Sequence, residues 1–222
     1  AALIDRRMGL YAVVDSADWV ERVLAAGVRT VQLRIKDASP ERLSAEILRS
    51  VRAARRTQAQ LFINDHWQLA IEHGAYGVHL GQEDLLTADM AALRNAGMRL
   101  GLSTHSFWEV CRARAWAPSY IACGPIHATT TKDMPWRPQG RGNLAYWCRV
   151  LREPVVAIGG MDVEHSHEAV QCGAAGVAVL RGIVRAGDPE RAIECLQAAM
   201  ARGSLAGSVA APQLPRSTCL AS

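Results

Sequence analysis

The chain has 222 residues, half of them hydrophobic (50%), and a formal net charge of +4 at pH 7. This length and composition indicate one large domain with a sizeable core. The charge is too low for a typical nucleic-acid-binding surface, no apolar run reaches the ~20 residues that span a bilayer, and no signal-peptide pattern opens the chain. The six cysteines form no CxxC pair, which favours buried free thiols in the reducing cytoplasm over disulfides or zinc.

Apolar runs with strand character recur along the chain, and each is followed by a segment with helical periodicity or helix-start signals. The first helix has Ser16 or Asp18 as its capping residue, and the second has Ser39 as its cap with Pro40 at its first position. The predicted strands occupy residues 9–14, 30–33, 61–63, 76–80, 97–102, 120–123, 154–158 and 176–180.

Eight strand–helix units in about 200 residues predict an α/β fold, a single (β/α)8 TIM barrel. An open doubly wound sheet is the alternative, but the strand count and the absence of GxGxxG after the first strand disfavour it. We expect the barrel domain to occupy residues 1–202. Residues 203–222 are rich in Ser, Ala and Pro without periodicity, so we expect a disordered tail there.

Two acidic residues follow consecutive predicted strands. Asp65 is the second of two polar residues that end strand 61–63, and Asp84 follows strand 76–80 after a short loop. Adjacent parallel strands lie about 4.8 Å apart and end at the same edge of the sheet, so the two carboxylates should approach each other. Such a pair favours protonation or a cation, and oxygen ligands suit Mg²⁺. N-capping of the next helix is an equally weighted alternative for Asp65 alone, whereas Thr87 is the better cap candidate near Asp84.

Further polar residues and two glycines lie at the predicted strand ends, where a (β/α)8 barrel has its active site. They are Gln32, Arg34, Lys36, Asn64, Ser103, Thr129, Thr130, Thr131, Lys132, Gly159 and Gly160. The glycines suit a phosphate held by backbone N–H groups, and the cations suit a metal-bound pyrophosphate. Solvated loop charges and a simple tight turn are the alternatives. The sequence has no evident His–Asp pair at this face, and His79, inside an apolar strand, is expected to be a hydrogen-bonded core or rim histidine.

Seven ordered motifs resemble those of the thiamine phosphate synthase family. They are QLRIK at 32–36, IND at 63–65, GVHLGQED at 77–84, STH at 103–105, GPI at 124–126, TK at 131–132 and AIGG at 157–160. The resemblance extends from about residue 9 to residue 200. It implies a (β/α)8 barrel and a transferase that joins the diphosphate ester of 4-amino-5-hydroxymethyl-2-methylpyrimidine to 4-methyl-5-(2-phosphoethyl)thiazole, releasing pyrophosphate.

The resemblance also implies roles for particular residues. Those that hold the pyrimidine diphosphate are Gln32, Leu33, Arg34, Ile35, Lys36, Asn64, Ser103 and Lys132, and the cations among them stabilise the departing pyrophosphate. Mg²⁺ is held by Asp65 and Asp84. The thiazole phosphate contacts Thr129, Thr130, Thr131, Gly160, Leu180 and Arg181.

Two positions depart from the family pattern: Arg181 replaces a frequent Ser, and His127 replaces a frequent Phe or Tyr. Thiazole tautomerases share the implied fold but typically lack the paired carboxylates, so Asp65 and Asp84 favour the synthase. A non-catalytic phosphate-binding barrel is a third hypothesis. The expected partners are two small-molecule substrates, without nucleic acid or membrane, and the sequence is compatible with a homo-oligomer.

Overall fold

The computed structural model describes residues 2–4, 7–129 and 136–205. Eight strands alternate with helices along these ranges. The strands are β1 (Gly9–Val14), β2 (Thr30–Leu33), β3 (Gln60–Asn64), β4 (Gly77–Leu80), β5 (Arg99–Thr104), β6 (Tyr120–Cys123), β7 (Val155–Ile158) and β8 (Gly176–Val179). The helices are α1 (Ala17–Ala25), α2 (Pro40–Thr57), α3 (Trp67–Glu72), α4 (Met90–Asn95), α5 (Phe107–Arg114), α6 (Gly140–Val150), α7 (Val163–Gln171), α8 (Arg181–Val184) and α9 (Pro189–Leu205).

The strands form a closed barrel in sequence order, and every neighbouring pair is parallel. Closure comes from β1 and β8, where Leu10 lies opposite Val177. The predicted (β/α)8 TIM barrel is therefore confirmed, and the open sheet is excluded. All eight strand ends lie at one face of the molecule, which brings loops from distant parts of the chain together.

Local signals explain where the first two helices begin. The side chains of Ser16 and Ser39 accept hydrogen bonds from the N–H groups of Trp19 and Arg42, which satisfies donors that have no partner inside the helix. Pro40 occupies the first position of α2, as predicted.

The side chains of the strands alternate between two apolar layers. Residues that face outward pack against the helices and form the larger core, which includes Val31, Leu61 and Val78. Inward-facing residues fill the barrel, and three aromatic side chains, Tyr11, Phe62 and Tyr120, occupy its centre with ring centroids 5.1–5.9 Å apart. This alternation determines which side chains of a strand can reach the site.

The end of the chain differs in detail from the predicted boundary at residue 203. Helix α9 continues through Leu205. Residues 206–222 lie outside the described ranges, so disorder of the tail stays a prediction. Within the described ranges, no helix combines the length and the apolar character that a membrane span requires.

Candidate active site

Asp65 lies in a sharp backbone turn at the end of β3. Its φ of 63° falls in the left-handed region, which non-glycine residues rarely adopt. Its N–H donates to the carbonyl of His79 at 3.0 Å, which ties the turn to β4. Helix α3 begins two residues later, with His66 at its N-cap position and no side-chain capping hydrogen bond. The alternative in which the Asp65 side chain caps α3 is therefore not supported.

Asp84 opens a short 3-10 turn, Asp84–Leu86, after β4. Its Oδ2 accepts a hydrogen bond from the Gly81 N–H at 2.8 Å, which fixes the carboxyl group close to the strand end. The expectation that Thr87 caps the following helix is wrong. Asp89 caps α4 through Oδ1, which accepts from two backbone N–H groups, because the 3-10 turn shifts the helix start to Met90.

The two carboxyl groups meet as predicted. Loss of hydration raises the pKa of the Asp65 carboxyl above its ordinary value, and the charge of Asp84 together with a hydrogen bond between the two groups raises it further. The positive charges of Arg34 and His66 act in the opposite direction. The pair therefore favours a proton or a cation between its oxygens.

The donor set of this pair fits Mg²⁺ better than a soft or borderline metal. The described residues contain no cluster of three or more His, Cys, Asp or Glu side chains arranged to hold a metal. Mg²⁺ is commonly bound by one or two carboxylates, with waters and substrate phosphates completing its coordination. Asp65 and Asp84 would supply the carboxylates in such a site.

The predicted diphosphate residues come from the ends of β2, β3 and β5. Gln32 and Asn64 are buried inward-facing residues of β2 and β3, and Ser103 lies on the inner face of β5. Arg34 follows β2, and its N–H donates to the Val14 carbonyl at 2.7 Å. The positive charge of Arg34 lowers the pKa of both Asp65 and His79.

The remaining residues of the 32–36 motif have different positions. The Leu33 side chain is buried in the core between strands and helices, so this residue can face the site only through its backbone. Ile35 packs partly against the same core, and Lys36 is exposed. Of the three predicted cations, Arg34 and Lys36 thus follow β2, and Lys132 lies outside the described residues.

His79 is a buried, hydrogen-bonded histidine, as predicted. Its Nδ1 lies 2.7 Å from the Tyr120 hydroxyl and its Nε2 lies 2.8 Å from the Ser103 hydroxyl. Burial lowers the pKa of His79 to about 4, and the nearby charges of Arg34 and His105 act in the same direction. The imidazole is therefore neutral at physiological pH.

The sequence analysis missed Tyr11 and Tyr120, which connect His79 to Gln32 across the barrel. Their positions in the sequence could have indicated this, because the alternation of side chains along β1 and β6 directs both tyrosines into the barrel. A second signal is Gly101, since a Cβ there would lie 2.1 Å from the Tyr120 ring. The glycine creates the space that the tyrosine fills.

The loop after β7 packs tightly against the loop after β6. Gly159 and Gly160 have φ values of 95° and 67°, and the Gly159 carbonyl accepts from the His127 N–H at 3.1 Å. The imidazoles of His127 and His165 stack with centroids 3.6 Å apart, and His165 Nδ1 donates to the Gly160 carbonyl at 2.7 Å. The two glycines are therefore required by backbone geometry, and this loop leads into α7.

Gly160→Ala is expected to lower the free energy of unfolding by about 1–3 kcal/mol, because alanine resists this positive φ. Its Cβ would also lie 2.7 Å from His127 Cβ and 2.8 Å from the Ala128 carbonyl oxygen. Thermal unfolding measures the change. The control is Gly142→Ala in α6, where a Cβ meets no atom within 4 Å and where alanine should stabilise the helix slightly. Equal melting temperatures for Gly160→Ala and wild type would contradict the expectation.

The predicted thiazole-phosphate residues lie partly within the described ranges. Thr129 and Gly160 belong to the β6 and β7 loops, Leu180 follows β8, and Arg181 is the first residue of α8. Thr130, Thr131 and Lys132 lie outside the described residues.

One His–carboxylate pair near this face was not expected from the sequence. His105 Nδ1 lies 2.8 Å from Glu109 Oε2, which also accepts from the His105 backbone N–H at 2.7 Å. Ser106 in turn accepts from the Glu109 N–H. These reciprocal bonds form a variant of the capping box at the start of α5, so the pair has a structural explanation.

A closed (β/α)8 barrel with charged and polar side chains at its C-terminal face belongs to the class of barrel enzymes, which carry their active sites at that face. The family model described as thiamine monophosphate synthase (TMP-TENI) matches residues 9–183. A thiamine-phosphate synthase of Yersinia pseudotuberculosis (strain IP 31758) is 51% identical over 189 residues, which cover 85% of this chain and 88% of that protein. One of Pectobacterium atrosepticum is 50% identical over 193 residues, covering 86% and 91%.

The solved structure of a thiamine phosphate pyrophosphorylase from Pyrococcus furiosus superimposes with a TM-score of 0.80 and 26% identity. The match covers 90% of this chain and 98% of that one. The chain belongs to the thiamine monophosphate synthase family. The family and its close relatives confirm the predicted thiamine-phosphate synthase activity, which is a transferase activity.

Proposed function

We propose that this chain joins the pyrimidine diphosphate to the thiazole phosphate named above by a Mg²⁺-assisted substitution that releases pyrophosphate. The observation that carries the proposal is the Asp65–Asp84 pair beside Arg34. A carboxyl group whose pKa is raised by a neighbouring carboxylate, with an arginine on the adjacent strand end, suits a metal-bound diphosphate. Bound there, Mg²⁺ would neutralise negative charge on the diphosphate as it departs.

The residues around this pair would bind and orient the pyrimidine diphosphate. Arg34 and Lys36 would contact its phosphates, and Gln32, Asn64 and Ser103 would offer hydrogen bonds from the inner face of the barrel. Leu33 and Ile35 would contribute through their backbone. Lys132, from the β6 loop, would add a further cation to the leaving group.

The thiazole phosphate would lie across the barrel mouth, near β7 and β8. Backbone N–H groups of the loop after β7 are suited to an anion, and glycine at position 160, with its positive φ, would let an anion approach that backbone closely. Thr129, Thr130 and Thr131 would add hydroxyl groups, with Leu180 and Arg181 at the end of β8.

The reaction needs no strong base, because the attacking thiazole nitrogen carries no proton to remove. The described residues agree with this requirement. Both ring nitrogens of His79 are occupied by hydrogen bonds, and Glu109 is engaged in capping α5. The protein's task is to orient both substrates and to stabilise charge on the departing pyrophosphate.

The decisive experiment is to incubate the protein with both substrates and Mg²⁺ and to assay thiamine phosphate and pyrophosphate. Both products should form in equal amounts, and EDTA should abolish their formation. A thiazole tautomerase would act on the thiazole phosphate alone without Mg²⁺, and a non-catalytic barrel would bind phosphate without turnover. Either of those results would overturn the proposal.

Arg181→Ala is expected to raise the KM for the thiazole phosphate about ten- to hundredfold and to change the KM for the pyrimidine diphosphate much less. The basis is the loss of a charge-assisted contact of roughly 1.5–3 kcal/mol. Arg185→Ala is the matched control, since Arg185 is an exposed arginine at the end of the same helix. An unchanged thiazole KM for Arg181→Ala would exclude the contact.

We also propose that the enzyme works in the cytoplasm. Five cysteines within the described residues are free thiols: Cys111, Cys123, Cys148, Cys172 and Cys195. Burial raises the pKa of Cys148 to about 12, which disfavours the reactive thiolate. A reducing compartment suits such unpaired thiols.

A further inference from the structure

A chain of hydrogen bonds crosses the interior of the barrel from β2 to β5. Gln32 Nε2 donates to the Tyr11 hydroxyl at 3.2 Å, and the hydroxyl groups of Tyr11 and Tyr120 lie 2.8 Å apart. The Tyr120 hydroxyl lies 2.7 Å from His79 Nδ1, and His79 Nε2 lies 2.8 Å from the Ser103 hydroxyl. We call Tyr11, Tyr120 and His79 the relay. The relay connects Gln32 to Ser103, and both of these residues are proposed to bind the pyrimidine diphosphate.

The relay is held rigidly by its surroundings. Tyr120 and Tyr11 are almost completely buried, with exposed fractions of 0% and 1%. The Tyr120 ring lies in the space left by Gly101 and packs edge-on against Phe62 at a centroid distance of 5.1 Å. The His79 ring stacks with Tyr120 at 5.7 Å. These side chains cannot rotate independently to exchange partners.

Because the Gln32 amide donates to Tyr11, the numbers of protons and lone pairs on the other groups determine which group donates in each hydrogen bond of the relay. Tyr11 accepts from the Gln32 amide, so its single proton is available for Tyr120. Tyr120 then uses its own proton for His79 Nδ1. Neutral imidazole carries one N–H, which must be on Nε2 when Nδ1 accepts. Nε2 therefore donates to the Ser103 oxygen, and the Ser103 proton is left to donate to a group outside the relay.

We propose that Tyr11, Tyr120 and His79 are positioning residues that hold the Ser103 hydroxyl as a hydrogen-bond donor to the pyrimidine diphosphate. The inference rests on the proposed function, in which Ser103 contacts that substrate. A hydroxyl of undefined orientation would present its lone pairs to an anion for part of the time. A hydroxyl that is already accepting from His79 keeps its proton directed at the anion, without reorganisation on binding.

The Tyr120 hydroxyl donates to His79 Nδ1 and thereby keeps the imidazole proton on Nε2. The Tyr120→Phe substitution removes this hydroxyl. With Nδ1 no longer required to accept, His79 can carry its proton there, and Nε2 then accepts the proton of Ser103. The serine would turn from a donor to the substrate into a donor to the histidine. Tyr120→Phe should therefore act on the substrate through Ser103.

A double-mutant cycle between Tyr120→Phe and Ser103→Ala tests this coupling. Each single variant should lower kcat/KM for the pyrimidine diphosphate about tenfold or more, with little change in the KM for the thiazole phosphate. The double variant should be no worse than Ser103→Ala alone, because a missing hydroxyl cannot be misdirected. Tyr11→Phe should have a smaller effect, since Tyr120 can still donate to His79. Tyr146→Phe removes a hydroxyl from α6, outside the relay, and should have wild-type kinetics.

The outcomes separate the relay from the proposed function. Effects that multiply in the double variant, or wild-type kinetics in Tyr120→Phe, would overturn the relay while product formation by the wild type still supports the function. Wild-type kinetics in Ser103→Ala would overturn both the relay and the role of Ser103. If Tyr120→Phe does not fold, as judged by thermal unfolding, His79→Asn takes its place in the cycle. Asparagine is too short to reach Ser103, and the same non-additivity is expected.

Discussion

Asp65→Asn and Asp84→Asn are each expected to lower kcat/KM by about a hundredfold or more, the scale seen when a group that stabilises transition-state charge is removed. Asparagine keeps the shape of the side chain, and its oxygen can still accept from the Gly81 N–H at position 84. What is lost is one negative charge of the pair that would hold Mg²⁺. Initial rates measured over a range of Mg²⁺ concentrations should show a higher requirement for the metal in both variants.

Although Asp65→Asn should lower activity, it should not lower the stability of the metal-free protein. In metal-free protein, Asp65→Asn removes a carboxyl that is destabilised by desolvation and by the charge of Asp84. Its melting temperature without Mg²⁺ should therefore equal or exceed that of wild type, and the stabilisation that wild type gains from Mg²⁺ should be lost. Lower stability together with unchanged activity would mean that Asp65 has a structural role only.

The matched control for both carboxylate variants is Asp89→Asn. Asp89 is an exposed residue of the same loop region, and its side chain caps α4. Asparagine is an equally good N-cap, so stability should change little. Activity and the Mg²⁺ requirement should remain those of wild type.

A pyrimidine diphosphate with an electron-withdrawing ring substituent is expected to react about a hundredfold more slowly or worse, equivalent to at least about 2.7 kcal/mol of barrier. In the proposed mechanism the CH₂–O bond breaks before the thiazole nitrogen attacks, and the 4-amino group delocalises the resulting cation. Withdrawal of electron density destabilises that cation. In this proposal the negative charge on the leaving group would be stabilised by Arg34 and by Mg²⁺ held between the two carboxylates.

Single-turnover quench experiments provide the measurement, since they observe the chemical step without interference from product release. Competition against the natural substrate should give a similar affinity for the substituted analogue, which would assign the loss to chemistry. A chemical step that the substituent leaves unchanged or accelerates would rule out a cation-like transition state.

Most strand positions were predictable because most strands are mainly apolar segments that are followed by polar or glycine residues. The exception is the fifth strand, which was predicted at residues 97–102 and lies at Arg99–Thr104. Gly97, with a φ of 68°, belongs to the turn after α4. At the other end, Ser103 and Thr104 continue the ladder opposite Ala122 and Cys123, so pairing with β6 extends the strand into polar sequence.

The sequence by itself determined the eight strand–helix units and the meeting of Asp65 with Asp84. Both acids follow consecutive parallel strands, and the geometry of one such unit is local enough to bring their side chains together. Only the tertiary structure decided the relay inside the barrel. Tyr11 and Tyr120 are separated by 109 positions and come within hydrogen-bonding distance only because the sheet closes.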